Sequence, residues 1–409
     1  MKIFKRIGYV KGLSAILLFL AVLIPQSALA QSEDISARLE ALEEELLELQ
    51  LKQTEKTPVT AFDAIRLDFG GFVTQTFTSV LNSDGPDRAS FDQTNLEFLI
   101  GADVTDKDSF FAAIGFLRQA DLINEATATD VNGRRFAAHA NRTPGIIMWG
   151  KHDFDQLLDV TYGRMITPWG IINREHFPPV LLNLNQPQYL RNVQPGNLFG
   201  GNTFIPNFID GVQAHGSKFY GDHQAEYFVY VANFDGGGTD ASDFLAGGRL
   251  QWTLPNNLVT FGGSYQNGSR AGAGAPNKAH YDAYGLDVLV NHKGFQMKAE
   301  YIRNNERGGT STNGNASIAP KESWYIQPAY TMGKTILFYR WDVIDTNLDI
   351  GNDASQQTEH VFGVNYLWAP TIRLRAEYVL NRFDLEKDTS TTARDRDYDN
   401  IQLSITTSF

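Results

Sequence analysis

Cysteine is absent from all 409 residues. That excludes disulfides, thiolate zinc sites, iron–sulfur clusters and thiol nucleophiles. Positive charge is short: 35 Lys and Arg stand against 47 Asp and Glu, a formal net charge of −12. A nucleic-acid-binding protein needs a basic face, so that class is excluded too. Long apolar runs are missing after the first thirty residues, and charged residues make up 20% of the chain. A bundle of transmembrane helices is therefore ruled out. What is plentiful is strand and turn material: 27 Phe, 16 Tyr, 6 Trp and 36 Gly.

The first thirty residues read as an address. Lys2, Lys5, Arg6 and Lys11 precede an apolar run from Leu13 to Ile24, and Ala28-Leu29-Ala30 follows. A basic start, a short apolar core and an A-x-A site predict a secretory signal peptide over 1–30, with the mature chain beginning at Gln31. Its loss removes four positive charges and takes the net charge from −12 to −16. Residues 31–56 predict a helix. Ile35, Leu39, Leu42, Leu46 and Leu49 step by four and three, a narrow heptad seam with glutamates outside. So short a helix needs partners to be stable. Self-association through Leu39, Leu42, Leu46 and Leu49 is favoured over docking on the same chain. Pro58 ends the segment.

From residue 60 onward the pattern has period two. Ile372, Leu374, Ala376, Tyr378 and Leu380 alternate with Arg373, Arg375, Glu377 and Asn381; similar alternation marks 337–343, 359–368 and 401–409. Such strands fit a soluble sheet or a barrel in lipid. Their length of about ten to thirteen residues, enough to cross a bilayer when tilted, favours the barrel. So do the connections, which switch between short (105–108, 221–222, 255–257, 292–294, 332–333, 369–370) and long (167–206 above all). Counting segments predicts an all-β transmembrane antiparallel barrel of about sixteen strands over 57–409. An even count puts both barrel ends, and the preceding coiled-coil helix, on the short-turn, periplasmic side.

These pieces resemble the trimeric outer-membrane porins, in layout the DcaP-like and phosphate-selective O/P-type porins. The features that carry the resemblance are the leader, the heptad helix, sixteen strands, and a final strand Tyr398–Phe409 ending in an aromatic. Tyr162-Gly163-Arg164 followed by Pro168-Trp169-Gly170 and a long insertion is similar to the strand leading into a constriction loop. The phosphate-type match is incomplete, because there is no dense Lys and Arg cluster. The resemblance implies a homotrimer and an assembly signal at Phe409. It implies an outer-membrane location with lipid and lipopolysaccharide around the barrel, the helix in the periplasm, and peptidoglycan within the helix's reach.

The third long loop, about 167–206, is expected to fold inward, putting Arg174, Glu175, His176 and Arg191 at the pore constriction. Parity points Arg249, Lys298, Arg340, Asp342, Arg373 and Arg375 at the lumen as pore wall, with Asp159, Glu226, Asp287, Glu300, Glu359 and Glu377. Arg164 falls on the outward parity, so either Gly163 carries a bulge, or Arg164 sits near the rim or meets another subunit. Residues 57–409 carry 28 bases and 39 acids, yet the loop is slightly basic. A weak preference for anions or small organic acids is expected of a passive channel for small hydrophilic solutes. The alternative is a structural or adhesive barrel tied to the cell wall by its helix. No enzyme motif, metal site or cofactor is expected; the acidic stretches 235–240 and 345–349 read as solvated turns more readily than as calcium loops.

Overall fold

The computed structural model describes residues 66–81, 88–119, 145–175, 177, 179–184, 186–190, 204–234, 244–270, 279–307, 319–345, 347–349, 356–383 and 398–409. The leader at 1–30, the heptad seam at Leu39, Leu42, Leu46 and Leu49, and the loop residues His176 and Arg191 lie outside the described residues. The chain divides into two compact units, one of residues 1–67 and 102–106, the other of residues 68–101 and 107–409. Only residues 66, 67 and 102–106 of the first are described. The second holds the body of the barrel.

The described residues form sixteen strands: β1 (Arg66–Leu81), β2 (Arg88–Asp103), β3 (Asp108–Gln119), β4 (Gly145–Asp155), β5 (Leu158–Ile166), β6 (Phe208–Tyr220), β7 (His223–Phe234) and β8 (Phe244–Thr253). Then follow β9 (Val259–Arg270), β10 (Ala279–His292), β11 (Phe295–Arg307), β12 (Lys321–Met332), β13 (Thr335–Asp345), β14 (Gln356–Ala369), β15 (Ile372–Phe383) and β16 (Tyr398–Ser408). Each neighbours the next, and β16 closes on β1 in antiparallel register, Thr74 facing Thr406 and Phe77 facing Leu403. Closure leaves no free edge, the condition for a sheet in lipid. The final aromatic locks the seam: Gly71 and Phe409 exchange two backbone hydrogen bonds of 3.0 Å, and the Phe409 ring meets Phe98 edge-on at 6.2 Å.

The tight turns explain themselves locally. Lys293 and Gly294 both have positive φ (46° and 82°), the backbone that a two-residue hairpin needs. The β4–β5 turn carries no Gly or Pro and is missing from the short connections read in the sequence. There Asp155 takes their place, its Oδ1 accepting from the backbone N–H of Leu157 (2.7 Å) and Leu158 (3.1 Å).

Along each strand, side chains alternate between lipid side and lumen side. Leu250, Leu286, Val212 and Phe261 face out and are exposed. At the long-loop end the outward face turns polar, and its arginines are paired: Arg164 with Asp210 (2.8 Å), Arg382 with Asp399 (2.8 Å), Arg307 with Asp282 (3.1 Å) and Arg303 with Glu322 (3.6 Å). The β5–β6 register runs unbroken through Gly163, so no bulge turns Arg164 inward. It stays outside at the rim, over the ring of Phe208.

Candidate functional site

The connection from β5 to β6 is built to stay put. Thr167 closes its base, donating from its N–H to the Asn207 carbonyl (3.0 Å) and from Oγ1 to the Pro206 carbonyl (2.6 Å). Asn173 Nδ2 donates to the Thr167 carbonyl (2.8 Å), and Asn207 Nδ2 to the Leu190 carbonyl (2.9 Å). Gly170, with φ of 58°, turns the chain where a side chain would strike the Glu300 carboxylate. Two short turns of 3-10 helix follow, Asn173–Glu175 and Gln188–Leu190.

From this base the described part of the loop lies inside the barrel. Trp169, Ile172, Leu181, Tyr189, Leu190, Phe204 and Ile205 bury themselves against Ala283, Ile302, Tyr325 and Ile344 of the wall. Leu182 enters a second apolar patch made by Ala329, Phe338, Val361 and Val379. On the far side Phe177 meets Phe72 of β1 and Phe111 of β3 edge-on, each with centroids 6.4 Å apart. The described part of the loop therefore spans the lumen from the β10–β15 wall to the β1–β3 wall.

Its backbone polar groups, which a buried irregular segment must satisfy, are met by charged and amide side chains of the wall. Glu300 accepts from the N–H of Ile171 (2.7 Å) and Ile172 (2.8 Å), from Tyr325 Oη (2.8 Å), and from Tyr189 Oη. Asp342 accepts from the Gln188 N–H (2.9 Å) and Glu377 from the Leu184 N–H (2.5 Å). Asn304 and Asn365 donate to the carbonyls of Phe204 (2.7 Å) and Leu182 (3.0 Å), and Arg373 reaches the Leu181 carbonyl at 3.4 Å. Burial, and next the charge of Glu300, hold the Tyr189 phenol well above its ordinary pKa, so it remains a neutral donor.

The sequence-named wall residues fall under this loop. All six point inward, but Arg340 and Asp342 have wholly covered side chains, and those of Arg249 and Lys298 are 1% and 3% exposed. Arg375 is buried and Arg373 half-buried. Four of the six are paired where they lie: Arg249 with Asp287 (Nη2 to Oδ1, 2.8 Å), Arg340 with Glu359 (2.5 Å) and Asp342 (3.6 Å), and Lys298 with Glu175 of the loop. Unpaired charges at that depth would be prohibitively costly.

The wet side of the lumen is the short-turn half of the arc β4–β8; toward the long-loop end the same inner face is dry, where Met165, Ile209, Tyr230, Ala232 and Leu245 form a buried apolar cluster. Lys151 and Asp153 of β4 form an ion pair at 3.0 Å, with 30% and 45% exposed side chains. His215 of β6 bridges two carboxylates, Nδ1 to Asp159 at 2.7 Å and Nε2 to Glu226 at 2.9 Å, and stacks on Phe228. Arg174 reaches toward this wall from the loop. It donates to Gln251 Oε1 (2.8 Å), lies 3.6 Å from Glu226, and is 34% exposed. Its pKa is lowered, chiefly by burial; Glu226 opposes that shift. Of the four expected constriction residues, Arg174 is thus brought to the gap between loop and solvated wall, while Glu175 turns to Lys298 of β11. Lys151, Asp153 and His215 were not singled out as pore residues in the sequence, although their inward parity was a usable signal. Among the described residues, no group of three or more His, Asp or Glu is arranged to hold a metal ion. Within the acidic turn 345–349, Asp345 Oδ1 accepts from the Asn347 N–H, and 235–240 lies outside the described residues.

No family model matches the sequence. A protein of Aquifex aeolicus, described only as uncharacterized, is 23% identical over 272 residues, covering 58% of this chain and 61% of that protein. Solved structures match more broadly. The anion-selective porin from Comamonas acidovorans superposes with a TM-score of 0.57 at 12% identity, over 84% of this chain and 100% of that one. The outer membrane channel DcaP of Acinetobacter baumannii gives a TM-score of 0.51 at 12% identity, over 84% and 97%. With its sixteen closed strands and long loop between β5 and β6, the chain has the fold of the outer-membrane porins.

Proposed function

We propose that the protein is an outer-membrane porin, a passive diffusion channel for small hydrophilic solutes. The observation that carries this reading is the short-turn half of the arc β4–β8. A barrel serving only as an anchor has no need of a solvated, charged inner wall facing a loop that carries Arg174. Field strength is greatest where the passage is narrow, so Arg174 weighs more than charge at a wide, screened mouth. Arg174 and Lys151 favour anions, while Asp153, Asp159 and Glu226 oppose them. Those carboxylates outnumber the two cations, so the weak anion preference rests on the place of Arg174 on the loop in the narrow gap, and zwitterions and small acids are tolerated. The leucine seam at 39–49 holds three copies together in the periplasm, and Phe409 completes the signal for barrel assembly.

The test is conductance in a planar bilayer together with a liposome-swelling panel of sugars, amino acids and dicarboxylates. Step-like openings in threes are expected; silence from correctly folded protein overturns the channel reading. Deleting Phe409 should lower the amount of heat-modifiable barrel in outer membranes, and normal levels would remove its assembly role.

A further inference from the structure

On the outer wall of β6–β10, at the short-turn end, the sheet is not flat. A groove of about 580 Å³ runs between the side chains of Tyr220, Trp252 and Phe261 at one end and Leu250 and Leu286 at the other. Its floor is low because Ala225 and Gly263 stand where neighbouring outward positions carry large apolar groups. That volume lies in the range of a small-molecule site, and its lining is almost wholly apolar.

One end of the groove is different. Lys218 lies there with its Nζ 5.3 Å from the Tyr220 ring. Tyr220 in turn stacks on Trp252 at 5.8 Å, and Trp252 Nε1 donates to His223 Nδ1 at 3.3 Å. These residues flank the Gly221–Asp222 turn, the level where aromatic side chains mark a membrane interface. Among the described residues, Arg164, Arg303, Arg307 and Arg382 of the opposite rim each have a carboxylate beside them, and Lys218 has none.

Length fixes the rest. Leu286 is six residues from the end of β10 at His292. At the rise of a strand tilted about 45°, the groove reaches roughly 14 Å into the membrane, close to the roughly 15 Å of one leaflet. A cation at the interface and an apolar channel one leaflet deep fit a lipid with a phosphate head and an acyl tail.

We propose that this groove holds one phospholipid of the periplasmic leaflet, its phosphate against Lys218 and an acyl chain along Ala225 and Gly263 up to Leu286. The proposal rests on the membrane reading above. Its test is native mass measurement of the full-length protein, titrated with dioleoylphosphatidylglycerol in mild detergent. The parent should retain one lipid per chain. Lys218→Gln should weaken retention about fivefold. Gly263→Leu should abolish it, because a Cβ there meets only Leu286 Cδ2 at 3.8 Å, so the added side chain fits and fills the groove. Leu337→Ala, on the far wall, should leave retention unchanged.

Equal retention in all four proteins overturns the site. So does Gly263→Leu turning the assembly into monomers with lipid still bound, since the groove would then be a contact between copies. Conductance is measured on the same samples. Conducting variants that lose the lipid support the site. A silent parent that still retains one lipid indicts the channel reading and not the groove.

Discussion

The two halves of the inner wall use the same residue types for opposite ends. On β11–β15, the inward Glu300, Asp342, Glu377, Asn304 and Asn365 are spent on the backbone of the loop. On β4–β8, the inward Asp153, Asp159, His215 and Glu226 keep contact with water. Strand parity cannot separate these fates, because both arcs alternate identically. What differs is the cover. An irregular segment laid in a barrel leaves N–H and C=O groups without partners, and only polar wall residues can meet them. An inward charge in such a barrel is therefore as much a docking group as a selectivity element.

Glu300 gives the largest way to break this contrast. Replacing it by Ala strands two backbone N–H groups and two phenols in a buried site. A loss of about 3–5 kcal/mol in loop docking is expected, as for removal of one member of a buried charged network. Single-channel conductance should rise and become noisy, and protease should cut within 167–206 while the barrel stays heat-modifiable. An unchanged conductance would mean that the loop does not narrow the pore.

Next come paired substitutions, one from each arc. Arg340→Ala leaves Glu359 and Asp342 without their shared cation and should cost about 3–5 kcal/mol, read as a lower urea midpoint. Its effect on reversal potential should be small, because the side chain does not meet the solution. Glu226→Gln should behave in reverse: a reversal potential moved toward anions, and a stability change within about 1 kcal/mol. If both variants shift the reversal potential equally, the dry arc is not dry.

The strands and their count were legible because alternation is a local property, written along each segment. The docking of the loop was not, because it depends on which distant residues meet. Traces of it lay in the sequence nonetheless. Ile302 stands between Glu300 and Asn304 on the inward parity, and Phe338, Val361, Val379 and Ile344 are likewise apolar residues on a lumen face. Apolar side chains have no place in a wet lumen unless something covers them, and those positions trace the loop's path along β11–β15. The buried state of Arg340 and Arg375 follows from that path and from nothing in their own neighbourhoods. Arg164 shows the limit from the other side: its outward parity was readable, but its partner Asp210, 46 positions away, needed the register.

A smaller effect is expected at Arg174, the charge carried by the loop to the wet arc. Arg174→Ala removes the donor to Gln251 and the cation beside Glu226. The permeability ratio should move toward cations by about twofold, since a fixed charge in a narrow aqueous gap is only partly screened. An unchanged ratio would shift attention to Lys151, the other cation of that arc.

The smallest effect sharpens the dry side alone. Tyr189→Phe removes one of four donors to Glu300 and keeps the ring in its apolar patch. About 1.5–3 kcal/mol of loop docking should be lost, the usual cost of one charge-assisted hydrogen bond. The pH dependence has a definite sign. Burial and Glu300 raise the Tyr189 phenol above its ordinary pKa, so the neutral form is the one the fold favours. Its contribution is complete below the unfolded value near 10 and is lost only as pH rises through the higher folded value. Conductance of the parent should therefore be flat with respect to this group from neutral pH to about pH 10, and begin to resemble the Glu300 variant only in stronger alkali. In Tyr189→Phe that alkaline change should be reduced, leaving Tyr325, the second phenol on Glu300, to account for what remains. An alkaline transition of the same size in parent and variant would assign it elsewhere and leave Tyr189 a packing residue.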